Sequence, residues 1–208
     1  MLISREKKVL FIHIQKTGGS SITEILRSSM PDLKRYMGTH DHASWARNAL
    51  GNEYDLYYKF AFVRNPWDRL VSWYTMIRQR AEVTNPNKLN RLFTYVLNSS
   101  SSFEDFVLNC THTIDDVDGR KSFLYNQYDY VSDESGALIV DFVGRYENYE
   151  SDLRTALERM GVFNIDIPHI NKSDHLHYSA YYTQRTKDIV SERYERDLKE
   201  FGYSFEGR

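Results

Sequence analysis

Residues 11–22 read FIHIQKTGGSSI, and this stretch decides the fold. An unbroken apolar run, Val9 to Ile12, continues through His13 and Ile14 and stops at a polar, glycine-bearing turn. Ile22, Ile25 and Leu26 then recur at helical spacing. The order is strand, tight loop, helix. Such a loop can wrap an anion, because the N–H groups at a helix start and the positive end of its dipole both favour phosphate. Gly18 and Gly19 allow the backbone to approach a ligand closely, Lys16 supplies charge, and Ser20 and Ser21 offer hydroxyls at the cap. The expectation is a site for a phosphate-bearing nucleotide. The plainer alternative is an ordinary strand-to-helix turn with a surface lysine. The loop is not a Walker A sequence, where lysine follows the glycines. Here Lys16 precedes them, and the shorter loop suits one phosphate group better than a polyphosphate.

A second unit of the same kind follows. Tyr57 to Val63 is aromatic and β-branched, reads as a buried strand, and ends at Arg64-Asn65-Pro66. Asn65 suits an N-cap and Pro66 the first helical position. Leu70, Trp73, Tyr74 and Ile77 then give an apolar helical face. Two strand–turn–helix units predict an α/β fold with parallel strands and helical crossovers. Arg64 stands at the strand end, and Ser72 lies two turns past the cap on its side of the helix, so the two can grip one anion together. Taken alone, Ser72 reads as a packed helix serine and Arg64 equally as a capping arginine.

Elsewhere the pattern predicts a helix from the loop to about Ser28–Met30, stopped by Pro31, and a short helix over Ala43–Leu50. Residues 81–110 read as interrupted helix, with Ser99–Ser102 as the break. Ala137–Val143 reads as a third strand, Ser151–Met160 as a helix stopped by Gly161, and Thr183–Phe201 as a final helix. Tyr125, Tyr128 and Tyr130 either line a cleft or cap a core. With 208 residues, 41% of them hydrophobic, the chain can bury one core, and residues 1–208 are expected to form a single domain. A formal net charge of -2 gives no basic field, so generic nucleic-acid binding is not indicated. The lone Cys110 excludes an intrachain disulfide and a cysteine-rich metal site. No apolar stretch approaches the roughly 20 residues that span a bilayer, and no signal peptide is visible. The expectation is a soluble, cytoplasmic protein, or one of the Golgi lumen if the chain is a trimmed catalytic domain. Oligomeric state stays open.

QKTGGSS after one strand and FVRNPWDRLVSWY after a second resemble the two donor signatures of the sulfotransferases, nearest to the carbohydrate branch that includes the heparan sulfate 2-O-sulfotransferases. The resemblance runs from Phe11 to Tyr74 and recurs at GRYENYE (144–150), HINKS (169–173) and RYERDLKEFGYSF near the end. Gln15 departs from it, since the family commonly has proline there. The resemblance implies a P-loop-like three-layer fold, a central, mostly parallel sheet flanked by helices. It also implies 3′-phosphoadenosine 5′-phosphosulfate as co-substrate, without a metal. Lys16, Thr17, Gly18, Gly19, Ser20 and Ser21 match the loop around the 5′-phosphosulfate. Arg64 and Ser72 match the pair on the 3′-phosphate, and Lys172 and Ser173 a loop that closes over the nucleotide.

Sulfonate transfer needs positioning, charge stabilisation and a base. Lys16 is the residue to stabilise charge on the leaving phosphate. THDHAS supplies His40 and His42, and histidine is suited to taking a proton near neutral pH. The branch's His-x-His and the His-Ala-Ser of related members both point to His42, with His40 or Asp41 orienting it or the acceptor. Without the resemblance, two histidines in a polar loop read as exposed residues or half a metal site. His13 reads as a core histidine. The acceptor implied is a hydroxyl, of a sugar or glycan. Two other readings compete. One is a P-loop kinase using ATP and magnesium, with Leu138–Asp141 as a Walker B strand. The other is a non-catalytic module that binds nucleotide or carbohydrate.

Overall fold

The computed structural model describes residues 1–111, 123, 125–167 and 176–207. In chain order the elements are β1 (Leu2–Ser4), β2 (Val9–Ile12), α1 (Gly19–Ser29), β3 (Lys34–Arg35), α2 (Ala43–Leu50), β4 (Tyr58–Val63), α3 (Pro66–Val83), α4 (Arg91–Ser99), α5 (Phe103–Cys110), β5 (Phe142–Arg145), α6 (Tyr149–Arg159), α7 (Gln184–Arg193) and α8 (Glu195–Phe201). They fall into two compact units, Met1–Arg64 with Gln127–Lys172, and Asn65–Asn126 with Ser173–Arg208.

The first unit holds a five-stranded sheet in the order β3-β1-β2-β4-β5. β2, β4 and β5 are parallel, with Ile12 opposite Ala61 and Val63 opposite Arg145. β1 runs antiparallel to both β2 and β3. The sheet is therefore mixed, which corrects the mostly parallel sheet implied by the resemblance, while the parallel pairing expected of the strand–helix repeats holds for β2, β4 and β5. The cause lies in residues 1–8, where the polar turn masks a short strand. Leu2 and Ile3 are buried, and residues 5–8 turn the chain into a hairpin. Lys8 takes a left-handed φ of 54°, and the Ser4 hydroxyl accepts from the Lys7 amide at 3.1 Å.

Val9 and Phe11 share one face of the sheet with Phe60 and Phe62 and pack against Ile22, Ile25 and Leu26 of α1 and Leu153, Ala156 and Leu157 of α6. Full burial of each large apolar side chain contributes about 1.5–3 kcal/mol. That anchorage holds α1 firmly, and with it the loop at its N-terminus. Both ends of α1 fall where the sequence places them, and α2 matches its expected range.

The third strand is shifted. It covers Phe142–Arg145 and not Ala137–Val143, because the preceding residues are held in a separate turn. The Asp133 carboxylate accepts from the amides of Ser135 and Ala137, Gly136 is left-handed at φ 84°, and Ser132 bridges Leu138. Asp141 then accepts from the Lys59 amide at 2.7 Å and pairs with the Lys59 ammonium at 3.0 Å. Leu138–Asp141 is thus no strand. Its carboxylate sits where β4 and β5 begin, whereas a Walker B aspartate belongs at a strand's carboxyl end.

The second unit is helical. Asn65 caps α3 by accepting from the Trp67 amide at 3.1 Å, with Pro66 first in the helix. Ser102 and Asp105 form a capping box on α5. Leu70, Trp73, Ile77, Phe106, Phe123 and Tyr194 are buried in its core. The single final helix expected over Thr183–Phe201 is two. Tyr194 leaves helical geometry at φ -111°, ψ 26°, while its hydroxyl donates to the Phe123 carbonyl. Among the described residues no helix is long and apolar enough to cross a membrane.

Candidate functional site

Because β2, β4 and β5 are parallel, the chain leaves all three at one edge of the sheet. This carboxyl edge is where open α/β sheets form their binding crevices. Three cationic residues follow from the sequence there. Lys16 lies in the loop after β2, Arg64 directly after β4, and Arg145 ends β5. The register sets Arg145 beside Val63, so the last two lie on neighbouring strands.

The loop after β2 is shaped by its own backbone. Lys16 is left-handed at φ 67° and Gly18 at φ 83°. Thr17 is fully buried, and its hydroxyl donates to the Ile14 carbonyl at 2.9 Å. The threonine therefore braces the loop from within. Gly18 occupies the N-cap of α1, no side chain caps that end, and the first turn has no acidic residue. The start of α1 therefore offers backbone N–H groups to an anion without a competing carboxylate. Ser20 is exposed there and Ser21 half-buried.

Burial, and then the neighbouring Arg64, pull the Lys16 ammonium down to a pKa of about 8. The Arg64 guanidinium donates to the Lys16 carbonyl at 3.3 Å. Arg64 is 5% exposed and stacks over the Tyr146 ring at 4.0 Å from its centroid. Its main chain is gripped on both sides by one amide. Gln127 Oε1 accepts from the Arg64 N–H at 2.8 Å, and Gln127 Nε2 donates to the Arg64 carbonyl at 2.7 Å. Tyr149 closes the other corner, its hydroxyl donating to the Gly18 carbonyl at 3.4 Å. Burial raises that phenol to about 12, partly offset by a hydrogen bond with Ser21.

GRYENYE is thus a clamp, with Tyr146 under Arg64 and Tyr149 against the loop. From sequence alone GRYENYE carries no assigned role, and neither Gln127 nor Arg145 stands out as a site residue. The recurrence of a polar-aromatic motif after a third strand was the available signal. Gln127 had none.

The histidines separate into two environments. His13 lies against Gly19, where an added Cβ would fall 2.1 Å from its Nε2. His40 meets His13 edge-on at 4.6 Å between ring centroids, and its Nδ1 lies 2.8 Å from the His13 carbonyl. A carbonyl accepts only, so Nδ1 carries the proton and Nε2 the lone pair. Burial first, then His40, push His13 down to about 3. His13 is therefore half-buried at the loop and not a plain core residue.

His42 is 9% exposed, stacked on Trp45 at 5.1 Å and tilted against Tyr130 at 4.4 Å. Burial lowers its pKa, opposed by the Asp129 carboxylate, a hydrogen bond to the Asp129 main chain and the Asp41 carboxylate. Asp41 itself is buried and accepts from the Gly38 amide at 2.7 Å. Tyr128 and Tyr130 are buried as well, so both cap a core. Ser72 is buried in α3 of the second unit. Lys172 and Ser173 lie outside the described residues.

The sequence model of the sulfotransferase family matches residues 1–204. The chain belongs to the sulfotransferase family. An uncharacterized protein of Archaeoglobus fulgidus is similar at 26% identity over 121 residues, which span 56% of this chain and 78% of that relative. This sulfotransferase therefore carries the family's sequence over nearly its whole length. Its Lys16, Arg64 and Arg145 lie together at the carboxyl edge of the parallel strands.

Proposed function

We propose that this sulfotransferase moves a sulfonate group from 3′-phosphoadenosine 5′-phosphosulfate to a carbohydrate hydroxyl, with residues 1–208 acting as one domain. The observation that carries the reading is the hydrogen bond from Arg64 to the Lys16 carbonyl, which joins two cations from separate strand ends beside the uncapped start of α1. The donor set fits the co-substrate: backbone amides and Lys16 for the 5′-phosphosulfate, Arg64 for the second phosphate, and Tyr146 beside it. When bound, the nucleotide supplies the sulfonate and a phosphate leaving group.

Lys16 stabilises the charge gathering on the phosphate oxygen. His42 takes the acceptor's proton. It is neutral at rest through burial, and the carboxylates of Asp129 and Asp41 favour its charged form once the proton arrives. A second reading gives that role to His40. One observation favours it: His42 Nε2 is enclosed, whereas His40 is half-exposed with its tautomer set by the His13 carbonyl. The sugar acceptor rests on the resemblance of THDHAS to the carbohydrate branch.

Thermal shift tests the donor and labelled transfer tests the acceptor. 3′,5′-Adenosine bisphosphate is expected to raise the melting temperature, and at a hundred times its Kd the stabilisation is about 2.7 kcal/mol. ATP with Mg²⁺ is expected to do less. The reverse order would turn the assignment to a kinase. Bisphosphate binding without radiolabelled sulfonate reaching any glycan would leave a non-catalytic module.

A further inference from the structure

Arg64 directly follows β4 and ends the first segment of the first unit, and Gln127 begins that unit's second segment. The two stand 63 positions apart in sequence. They nevertheless meet through a reciprocal pair of hydrogen bonds, Gln127 Oε1 on the Arg64 N–H at 2.8 Å and Gln127 Nε2 on the Arg64 carbonyl at 2.7 Å. The ladder between β4 and β5 ends with Val63 opposite Arg145, one residue short of Arg64. A carboxamide carries the donor and the acceptor of a peptide group, so Gln127 serves the Arg64 main chain as a further strand residue would. The glutamine is fully buried, and the turn it opens sets its place. In that turn the amides of Tyr130 and Val131 donate to the carbonyls of Gln127 and Tyr128 at 3.2 and 3.1 Å, and the Tyr128 hydroxyl donates to the Gly136 carbonyl at 3.1 Å.

Arg64 is thus held at two levels. Gln127 fixes its main chain, and the Tyr146 ring, 4.0 Å from the guanidinium carbon, fixes the plane of its side chain. A guanidinium stands at the end of a long side chain, so a small turn of the main chain swings it through a much larger arc. We propose that Gln127 is the positioning residue that sets preference for a nucleotide phosphorylated at the 3′ position, by holding Arg64 in place before the ligand arrives. Ordering the cation in advance removes that cost from binding. With no surface exposed and both ends of its amide engaged, Gln127 acts through Arg64 and not by touching the ligand. The proposal rests on the donor reading above and adds the buried residue on which its selectivity depends.

The test compares two nucleotides by calorimetry, 3′,5′-adenosine bisphosphate and 5′-AMP, which lacks the 3′-phosphate. The unaltered protein is expected to bind the bisphosphate at least about 10-fold more tightly, in line with a charge-assisted contact to Arg64. In Gln127→Met, close in volume but without the amide, that ratio should fall at least about 5-fold, while affinity for 5′-AMP stays within about 2-fold. Gln127→Asn keeps the amide one methylene short and should give an intermediate ratio, and it carries the same test if the methionine variant fails to fold. In an Arg64→Ala background, Gln127→Met or Gln127→Asn should change the ratio by less than about 2-fold, because the residue through which the glutamine acts is gone. A brace of the fold alone would weaken both nucleotides together and leave the ratio intact, and that result would overturn the proposal. So would an equal drop in the ratio with and without Arg64. If the unaltered protein prefers the bisphosphate and the glutamine variants keep that preference, the role of Gln127 falls and the donor reading stands. If the unaltered protein shows no preference, the donor reading falls and takes this role with it.

Discussion

The guanidinium of Arg64 reaches the carbonyl oxygen of Lys16 at 3.3 Å, tying the end of β4 to the loop after β2. The arginine braces the loop, and in the proposed site it is also a charge for the nucleotide's second phosphate. Arg64→Ala removes both. A hydrogen bond to a charged group contributes about 1.5–3 kcal/mol, so affinity for 3′,5′-adenosine bisphosphate should fall roughly 10- to 150-fold by calorimetry. Arg64→Lys keeps the charge without the planar fork and should fall between. Unaltered affinity in the alanine variant would remove Arg64 from the nucleotide site.

Lys16 should make nucleotide binding depend on pH. In the folded protein it titrates near 8 where a free lysine titrates at 10.5, because burial and Arg64 oppose its charge. An arriving phosphate raises that pKa again. Binding at pH 8 should therefore take up roughly half a proton, and affinity should weaken as pH rises past 8. Calorimetry in two buffers of different ionisation heat reads this directly. Lys16→Arg should bind with no uptake.

The two central histidines should part in kinetics. His42→Ala is expected to keep bisphosphate binding and to lose transfer by about 10²- to 10⁴-fold, the usual contribution of a general base. His40→Ala should cost less. If the larger loss falls on His40 and the His42 variant turns over nearly normally, the base is His40 and the enclosed imidazole is structural.

Acid should destabilise the fold through His13. The group stays neutral to about pH 3 when folded but accepts a proton near 6.5 when unfolded. Its contribution is complete above pH 6.5 and declines as pH falls toward 3, by up to about 1.4 kcal/mol per unit. Urea midpoints between pH 7 and 4 should fall less steeply in His13→Gln. Parallel slopes in the two proteins would show that His13 is solvated.

Much of this arrangement was legible because two physical signals coincide in it. The run Val9–Ile12 and the helical spacing of Ile22, Ile25 and Leu26 both reflect burial on one sheet face, and Asn65-Pro66 reflects the chemistry of a helix start. β1 was hidden because its apolar signal is too short for a period to register. β5 was misplaced because Ala137 to Val140 is apolar yet bound into a turn by Asp133 and Gly136. The break at Tyr194 depends on a carbonyl far away in sequence. At the site, Lys16 and Arg64 announced themselves by position. Gln127 acts through a main-chain grip that depends on distant parts of the chain meeting in space.

β3 closes the sheet on its outer side with only Lys34 and Arg35, both facing solvent. So brief a strand, bearing two like charges, gives a neighbouring molecule little to pair with and repels a copy of itself. A neutral pair there would leave the open margin of the sheet easier for another strand to join.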